Sequence, residues 1–459
     1  MDRGQRWKRL LSEERQHVLS ASSPSSARRP ERDQRSAFER DYDRIIYASP
    51  FRRLQDKAQV FPLEHNDFVR TRLTHSLEVS TLGRSLGRQI GRRLKGDWSL
   101  DISGDDLGTV VATTCLAHDI GNPPFGHAGE DAIRGWFNDH PEVLEGLDEG
   151  RRLDFLHFDG NAQGVRILMV LQSLGRITGL NLTLATLAAF MKYIVPSTRL
   201  DPTRKPRKKI GYFSSEAPIV EALRARLGLS EGRHPLAFLM EAADDIAYSV
   251  ADIEDGVRKQ VLRPEHLVDL LGSSLKGTRH DKLIHHLEKV CRRPGTAHFR
   301  EEVNAAVQWF RIEAIRAMFE GVVDAFMTHH DAILEEAYHR PLMDDAEEAD
   351  VLRRTLVDIA KDNVYSAPDV LALEVFGDKV IRDLLSRFVP ASLSSERHNR
   401  RTVEGKLYAL ISPSLRALHE KVDEDDPYAR IQLAVDHVCG MTDTYAVTLY
   451  QRLNGARGV

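Results

Sequence analysis

The sequence predicts a mostly α-helical protein, and three observations carry that expectation. Apolar residues recur at helical spacing through most of the chain, prolines punctuate it, and strand-like alternation is scarce. The 459 residues, 42% of them hydrophobic, are enough to bury a large core, and the length allows two or three domains. A charged fraction of 29% and a net charge of −4 exclude a wholesale nucleic-acid coat. No apolar run reaches the ~18 residues of a transmembrane helix, so no membrane partner is expected. The opening residues carry charge and no apolar signal core, so secretion is not expected. Cys115, Cys291 and Cys439 are far apart and form no CxxC pair; they read as reduced thiols of a cytoplasmic protein.

Taken in order, residues 1–37 are rich in Arg, Glu, Ser and Gln and predict a mobile or loosely docked segment, most of all from Ser20 to Arg35. From Phe38 a helical pattern starts, with Ile45, Ile46, Phe51 and Leu54 as its stripe and Ser49-Pro50 opening a new helix. Leu73, Leu77, Leu82, Leu86 and Ile90 predict a helix from about 70 to 94 that holds His75 in its first turns. Asp105 to Ala117 is the next helix, and residues 132–158 read as irregular with one short helix. A helix is expected from Phe158 through Leu174, and another over 183–193 that ends in Lys192-Tyr193. Residues 196–211 form a basic, Pro-punctuated loop, either a solvated excursion or an anion-facing patch. Residues 234–256 form a long apolar helix, and more helices follow, for instance 297–334 and 403–422. Pro264, Pro294, Pro341, Pro368, Pro390 and Pro413 divide that region. The last helix is expected to begin near Asp426 and to include Gly440 to Tyr445.

Chemistry concentrates in residues 115–131, Cys-Leu-Ala-His-Asp-Ile-Gly-Asn-Pro-Pro-Phe-Gly-His-Ala-Gly-Glu-Asp. Adjacent His118 and Asp119 cannot share a helical face, but a helix end can aim both at one point. Pro123 and Pro124 force such an end. His127 and Glu130 follow three apart, an acid/base pair by residue type. On the 234–256 helix Asp244, Tyr248 and Asp252 are spaced i, i+4, i+8 and line one face, with Glu241 a turn earlier. Burying carboxylates without partners is costly, so a metal, a cation or a salt bridge must face them. His75 alone reads as a structural histidine; with His118, Asp119 and Asp244 it completes a mixed N/O donor set. That set suits Mn²⁺, Fe²⁺, Zn²⁺ or Mg²⁺ with open positions for water and substrate; the expected cofactor is Mn²⁺ or Mg²⁺ first, with Fe, Co or Zn as alternatives. There is no HExxH, P-loop or Rossmann glycine pattern. Asn161 and Gln163 are either helix-cap polars or groups that orient phosphate, sugar or water.

These stretches resemble the bacterial deoxyguanosine triphosphate triphosphohydrolases of the HD-domain superfamily. The resemblance rests on 72–79, 118–130, 158–164, 241–255 and 440–446, and runs from about residue 38 to the C-terminus. It implies an HD-domain helical fold with helical insertions and a C-terminal helical extension. The domain reading is a core over 38–275 and a helical region over 276–459 packed on it. It implies metal ligands at His75, His118, Asp119 and Asp244, with Asp244 preferred to Asp245. It implies a catalytic His127 partnered by Glu130, a phosphate-binding Arg72, and Gln59 and Val60 at the deoxyribose. Asn161, Lys192, Tyr193, Tyr248 and Asp252 match further substrate contacts, and Glu78 is family-like. The implied reaction cleaves a deoxynucleoside triphosphate, dGTP preferred, to deoxynucleoside plus triphosphate. A homo-oligomer, often a hexamer, is implied too. Two rivals stand beside it: an HD phosphohydrolase on another nucleotide, and a nucleic-acid-binding regulatory protein on the HD scaffold. The basic 204–209 run keeps single-stranded nucleic acid as an additional ligand.

Overall fold

The computed structural model describes residues 2–19, 33–63, 69–174, 177–292, 298–422 and 425–456. Among these the chain is helical, apart from a two-residue antiparallel ribbon in which Ser173-Leu174 pairs with Ile177-Thr178. No helix of the described residues is long and apolar enough to cross a membrane.

The centre is an antiparallel pair, Arg72–Trp98 against Gly104–Ala117. Thr71 caps the first helix through the Thr74 amide, and Ser99 closes it in the left-handed region at φ 53°. The two backbones approach until a Cβ on Gly91 would stand 2.4 Å from the Gly104 Cα. Any larger residue there would push the pair apart. Pro235–Arg258 crosses both helices and is buried along most of its length. The 36-residue helix Phe299–Leu334 covers its other side.

Two apolar clusters result. One spans Trp7 to Val370; the other packs Gly126–Asp139 against Pro368–Leu393 and Pro427–Cys439. Both clusters cross residue 275.

Several elements differ from the sequence expectation. The charged opening is not loose at its start, because Arg3–Leu10 is a helix with Trp7 and Leu10 fully buried. Trp7 donates its indole N–H to His330 Nε2 at 3.0 Å, and Arg6 pairs with Glu336 at 2.8 Å. Two apolar anchors among charges escape a composition argument; residues 20–32 lie outside the described residues. The region after Phe125 is more regular than expected, with helices over Gly126–Asp139 and Glu149–Leu156. The helix opened by Asp159 is shorter, ending in a π turn over Ile167–Leu171. Lys192 and Tyr193 follow the Leu184–Phe190 helix rather than ending it. Pro390 does not divide helices but sits inside Pro368–Leu393. Finally, the last helix is two, Pro427–Cys439 and Asp443–Leu453, because the Thr442 hydroxyl caps a new start at the Tyr445 amide.

His234 ties the N-terminal helix to the Pro235–Arg258 helix. Its Nδ1 accepts the Leu236 N–H at 3.2 Å, and its Nε2 donates to the Leu10 carbonyl at 3.1 Å. The Nδ1 bond needs the neutral ring, since a protonated Nδ1 cannot accept, while the Nε2 bond survives protonation. Burial lowers its pKa from 6.5 to about 4. The stability it contributes is therefore complete above its unfolded pKa and is lost as pH falls from about 6.5 toward 4. At pH 5 the loss is roughly 2 kcal/mol. Thermal melts between pH 7 and 5 should show the midpoint falling. His234→Asn, which keeps a capping acceptor but does not titrate, should flatten that slope; an unchanged slope would remove His234 as its source.

Candidate active site

His118 caps the end of Gly104–Ala117, and Asp119 stands in the turn that follows, where Ile120 and Asn122 N–H groups bond back to Ala117 and Asp119 carbonyls. The turn packs on the Gly160 segment so closely that a Cβ on Gly121 would lie 1.9 Å from the Gly160 carbonyl oxygen. Only glycine fits there. Phe125, at φ 62°, then redirects the chain into Gly126–Asp139, which places His127 on its first turn.

The turn and two helices gather the donor set. One donor atom from each of His75, His118 and Asp119 lies within 4.8 Å of the others. Asp244 Oδ1 is 3.1 Å from His75 Nε2 and 3.4 Å from His118 Nε2. His118 donates Nδ1–H to the Cys115 carbonyl at 2.6 Å, which directs Nε2 toward Asp119 and Asp244. Arg72 donates to Asp119 Oδ1 at 2.8 Å, and the Asn122 amide donates to the same oxygen. Asp119 Oδ2 is buried with no hydrogen-bond partner. Burial works against charge here, yet Asp119 and Asp244 together raise the His118 pKa to about 9. Burial would also raise Asp244, but His118 and His75 hold it well below the usual carboxylate range. A buried, unpartnered carboxylate oxygen beside two imidazole nitrogens fits a divalent cation. This His-His-Asp group could hold a metal ion.

A second unit lies beside it. His127 donates Nδ1–H to Glu130 Oε2 at 3.0 Å, and Glu130 Oε1 accepts the Gly160 N–H at 2.6 Å. Glu130 is buried while the His127 side chain is 81% exposed. Burial would raise the Glu130 pKa, but the His127 bond and charge, Lys209 and the Gly160 amide lower it. Glu130 is thus a fixed anion that sets the His127 tautomer and leaves Nε2 facing outward.

One cavity of about 530 Å³ takes in both units. Its lining includes Gln59, Val60, Arg72, His75, His118, Asp119, His127, Glu130, Asn161, Lys192, Tyr193, Asp244, Tyr248 and Asp252, but not Gln163, whose amide donates to Asp436 at 2.8 Å. Glu78 is not among them; it pairs with Arg70 at 2.9 Å. Three of the expected substrate contacts, Arg72, Asn161 and Asp252, already hydrogen-bond within the protein. Arg72 is held by Asp119, and the Asn161 side-chain amide donates to Asp159 at 2.7 Å. Buried Glu241 gathers cations at the wall: Arg233 at 2.6 Å, Lys205 at 3.4 Å and Lys192 at 3.8 Å. Its pKa is lowered to about 2, since burial is outweighed by Arg233, Lys192 and Lys205. At the other end Tyr365 donates to Asp252 Oδ2, while Asp252 Oδ1 is buried without a partner and burial pushes Asp252 up to about 7.

The basic loop divides between the two readings given for it, part cavity wall and part solvated excursion. Lys205 and Lys209 line the cavity, Lys209 pairing with Asp159 at 2.7 Å, and Arg207 pairs with Glu231. Arg199, Arg204 and Lys208 are the loop's exposed cations. Sequence reading missed Tyr365, Asn122 and the inward turn of Lys205 and Lys209. Tyr365 carries no local signal, since it reaches the site only because Glu348–Ala360 packs on the Asp244 helix.

Comparison with known proteins agrees with this geometry. The HD domain model matches residues 72–157, and the phosphohydrolase-associated domain model matches 346–452. Fold and site thus define an HD-domain protein of the phosphohydrolase class. A deoxyguanosinetriphosphate triphosphohydrolase-like protein of Listeria innocua is 36% identical over 98% of this chain and 99% of its own length. Proteins of that name from Synechocystis (36%) and Pseudomonas aeruginosa (35%) each match over 92% of this chain and 94% of their own. The chain belongs to the deoxyguanosinetriphosphate triphosphohydrolase-like family.

Proposed function

We propose that this protein is a metal-dependent deoxynucleoside triphosphate triphosphohydrolase with a preference for dGTP. One observation carries the reading: a single cavity combines a His-His-Asp-Asp donor set, an exposed histidine on a buried carboxylate, and ammonium groups beyond them. A metal ion held by His75, His118, Asp119 and Asp244, Mn²⁺ or Mg²⁺ first, would polarise an α-phosphate oxygen. Lys192, with Arg72, neutralises triphosphate charge. Water adds to the α-phosphorus, the bond to the 5′-oxygen breaks, and the proton lost by water ends on that oxygen. In this reading His127 Nε2 carries the proton. The products are deoxynucleoside and triphosphate. A homo-oligomer belongs to the same reading.

Incubation with each of the four dNTPs and Mn²⁺ or Mg²⁺, followed by chromatography of the products, tests the proposal. Triphosphate and deoxynucleoside should appear together, fastest from dGTP. Orthophosphate in their place would move the protein to an HD phosphohydrolase of another substrate class.

The sugar supplies a finer test. Tyr248 stands one turn after Asp244, and Gln59 and Val60 close the same cavity. A 2′-hydroxyl would meet ring and carbon atoms there. Burying it unpaired costs about 1–3 kcal/mol, roughly 5- to 150-fold in kcat/KM. The expected result is dGTP favoured over GTP by at least that range, narrowed in Tyr248→Ala. Equal efficiency on both nucleotides in the wild type would defeat the sugar gate.

A further inference from the structure

The C-terminal segment 439–444 holds two of the chain segments that carry the cavity's non-metal chemistry. Asp443, only 1% exposed, uses each carboxylate oxygen once. Oδ1 accepts the Phe125 N–H at 3.0 Å, and Oδ2 accepts the Ala58 N–H at 2.9 Å. Phe125 is the left-handed residue that launches the His127 helix. Ala58 immediately precedes Gln59 and Val60, and it also bridges Thr71, the cap of the His75 helix. Lys57 closes the same knot. Its buried ammonium donates to the Asn122 carbonyl at 2.5 Å and the Cys439 carbonyl at 2.9 Å, while its own carbonyl accepts the Arg72 N–H at 2.9 Å. Arg53 adds a bond to the Gly440 carbonyl at 2.9 Å.

We infer that Asp443 is a positioning residue, the centre of a clasp by which the C-terminal helices fix the His127 turn and the Gln59-Val60 segment relative to one another. A carboxylate suits this better than any neutral side chain, because it accepts at both oxygens and donates at neither. Two backbone donors more than 60 positions apart in sequence, 58 and 125, are thereby referred to one rigid group. Without it, the acid/base histidine and the sugar-side wall could drift independently. Misplacement by an ångström costs about 10²-fold in rate.

The inference rests on the roles given above to His127, Gln59 and Val60, and its test separates the two. Asp443→Asn keeps shape but turns one acceptor into a donor facing an N–H. Its kcat/KM should fall about 10²-fold, with KM raised as well as kcat lowered and with metal content unchanged. A merely structural role would reduce the active fraction, lowering apparent kcat at constant KM. In a His127→Ala background, Asp443→Asn should lower kcat by no more than about 3-fold further, because the two act as a unit. Thr444→Ala, which removes only a bond to Asp56 at 2.7 Å, is the control and should behave as wild type. Asp443→Glu, which keeps both acceptors but displaces them by a methylene, is the second variant should the first not fold. In the wild-type enzyme the Ala58 and Phe125 amides should exchange slowly with deuterium. Fast exchange of both amides, wild-type kinetics in Asp443→Asn, or full multiplicative losses in the His127→Ala background would overturn the clasp. Inactivity of the wild-type enzyme on every dNTP would instead overturn the functional reading and leave the exchange result standing.

Discussion

Asp119→Ala should purify without its metal ion and lose about 10³-fold or more in turnover, since Lewis-acid stabilisation of a phosphoryl transition state is worth several kcal/mol. Asp119 is the point where three demands meet. Its Oδ1 takes hydrogen bonds from Arg72 and Asn122, and its Oδ2 is buried with no hydrogen bond, 3.6 Å from His118 Nε2. An alanine there removes the ligand and also strands the Arg72 guanidinium, which is only 6% exposed. Breaking one side of a buried pair costs about 3–5 kcal/mol, so the melting point should fall with the metal content. Asp119→Asn separates the two effects. It retains a carbonyl oxygen for Arg72 but carries no charge for a cation, so metal should be lost with a smaller drop in stability. Elemental analysis and thermal melts of both variants decide it. Metal content equal to wild type in both would sink the assignment of the donor set.

His127→Ala should behave in the opposite way, keeping metal and fold while turnover falls about 10²- to 10⁴-fold, the usual contribution of a general acid–base group. The side chain is 81% exposed, so its loss opens no cavity. Its hydrogen-bond partner Glu130 retains the Gly160 N–H at 2.6 Å after the change. The donor set is untouched. Steady-state kinetics beside elemental analysis gives the answer: kcat near the wild-type value would take His127 out of the mechanism, and lost metal would reassign it.

The parts legible in the sequence were those specified locally. His118-Asp119 and His127…Glu130 sit within one turn-and-helix unit, and the double proline shows that the first helix must stop there. Asp244, Tyr248 and Asp252 declare themselves by helical spacing. The structure brings all of these to one cavity. The long helices also followed from periodicity, because a buried stripe repeats over many turns. What the sequence hid depends on packing between distant segments. Trp7 and Leu10 anchor a helix whose composition looks unstructured, because two well-placed apolar residues outweigh the charges around them. The break at Gly440 was missed since apolar periodicity continues across it, while one hydroxyl, that of Thr442, restarts the helix. Lys205 and Lys209 read as outward charge, but Glu241 and Asp159 draw them into the cavity wall. Asp443 lay in a recognisable stretch, yet its partners at 58 and 125 follow from no spacing rule.

The account stands or falls on where the substrate is cut. Hydrolysis of dGTP in ¹⁸O-labelled water, with the products separated and weighed by mass spectrometry, reads this directly. Attack at the α-phosphorus predicts deoxyguanosine without label and triphosphate carrying one ¹⁸O. Label in orthophosphate or pyrophosphate, with dGDP or dGMP as the nucleotide product, would contradict it.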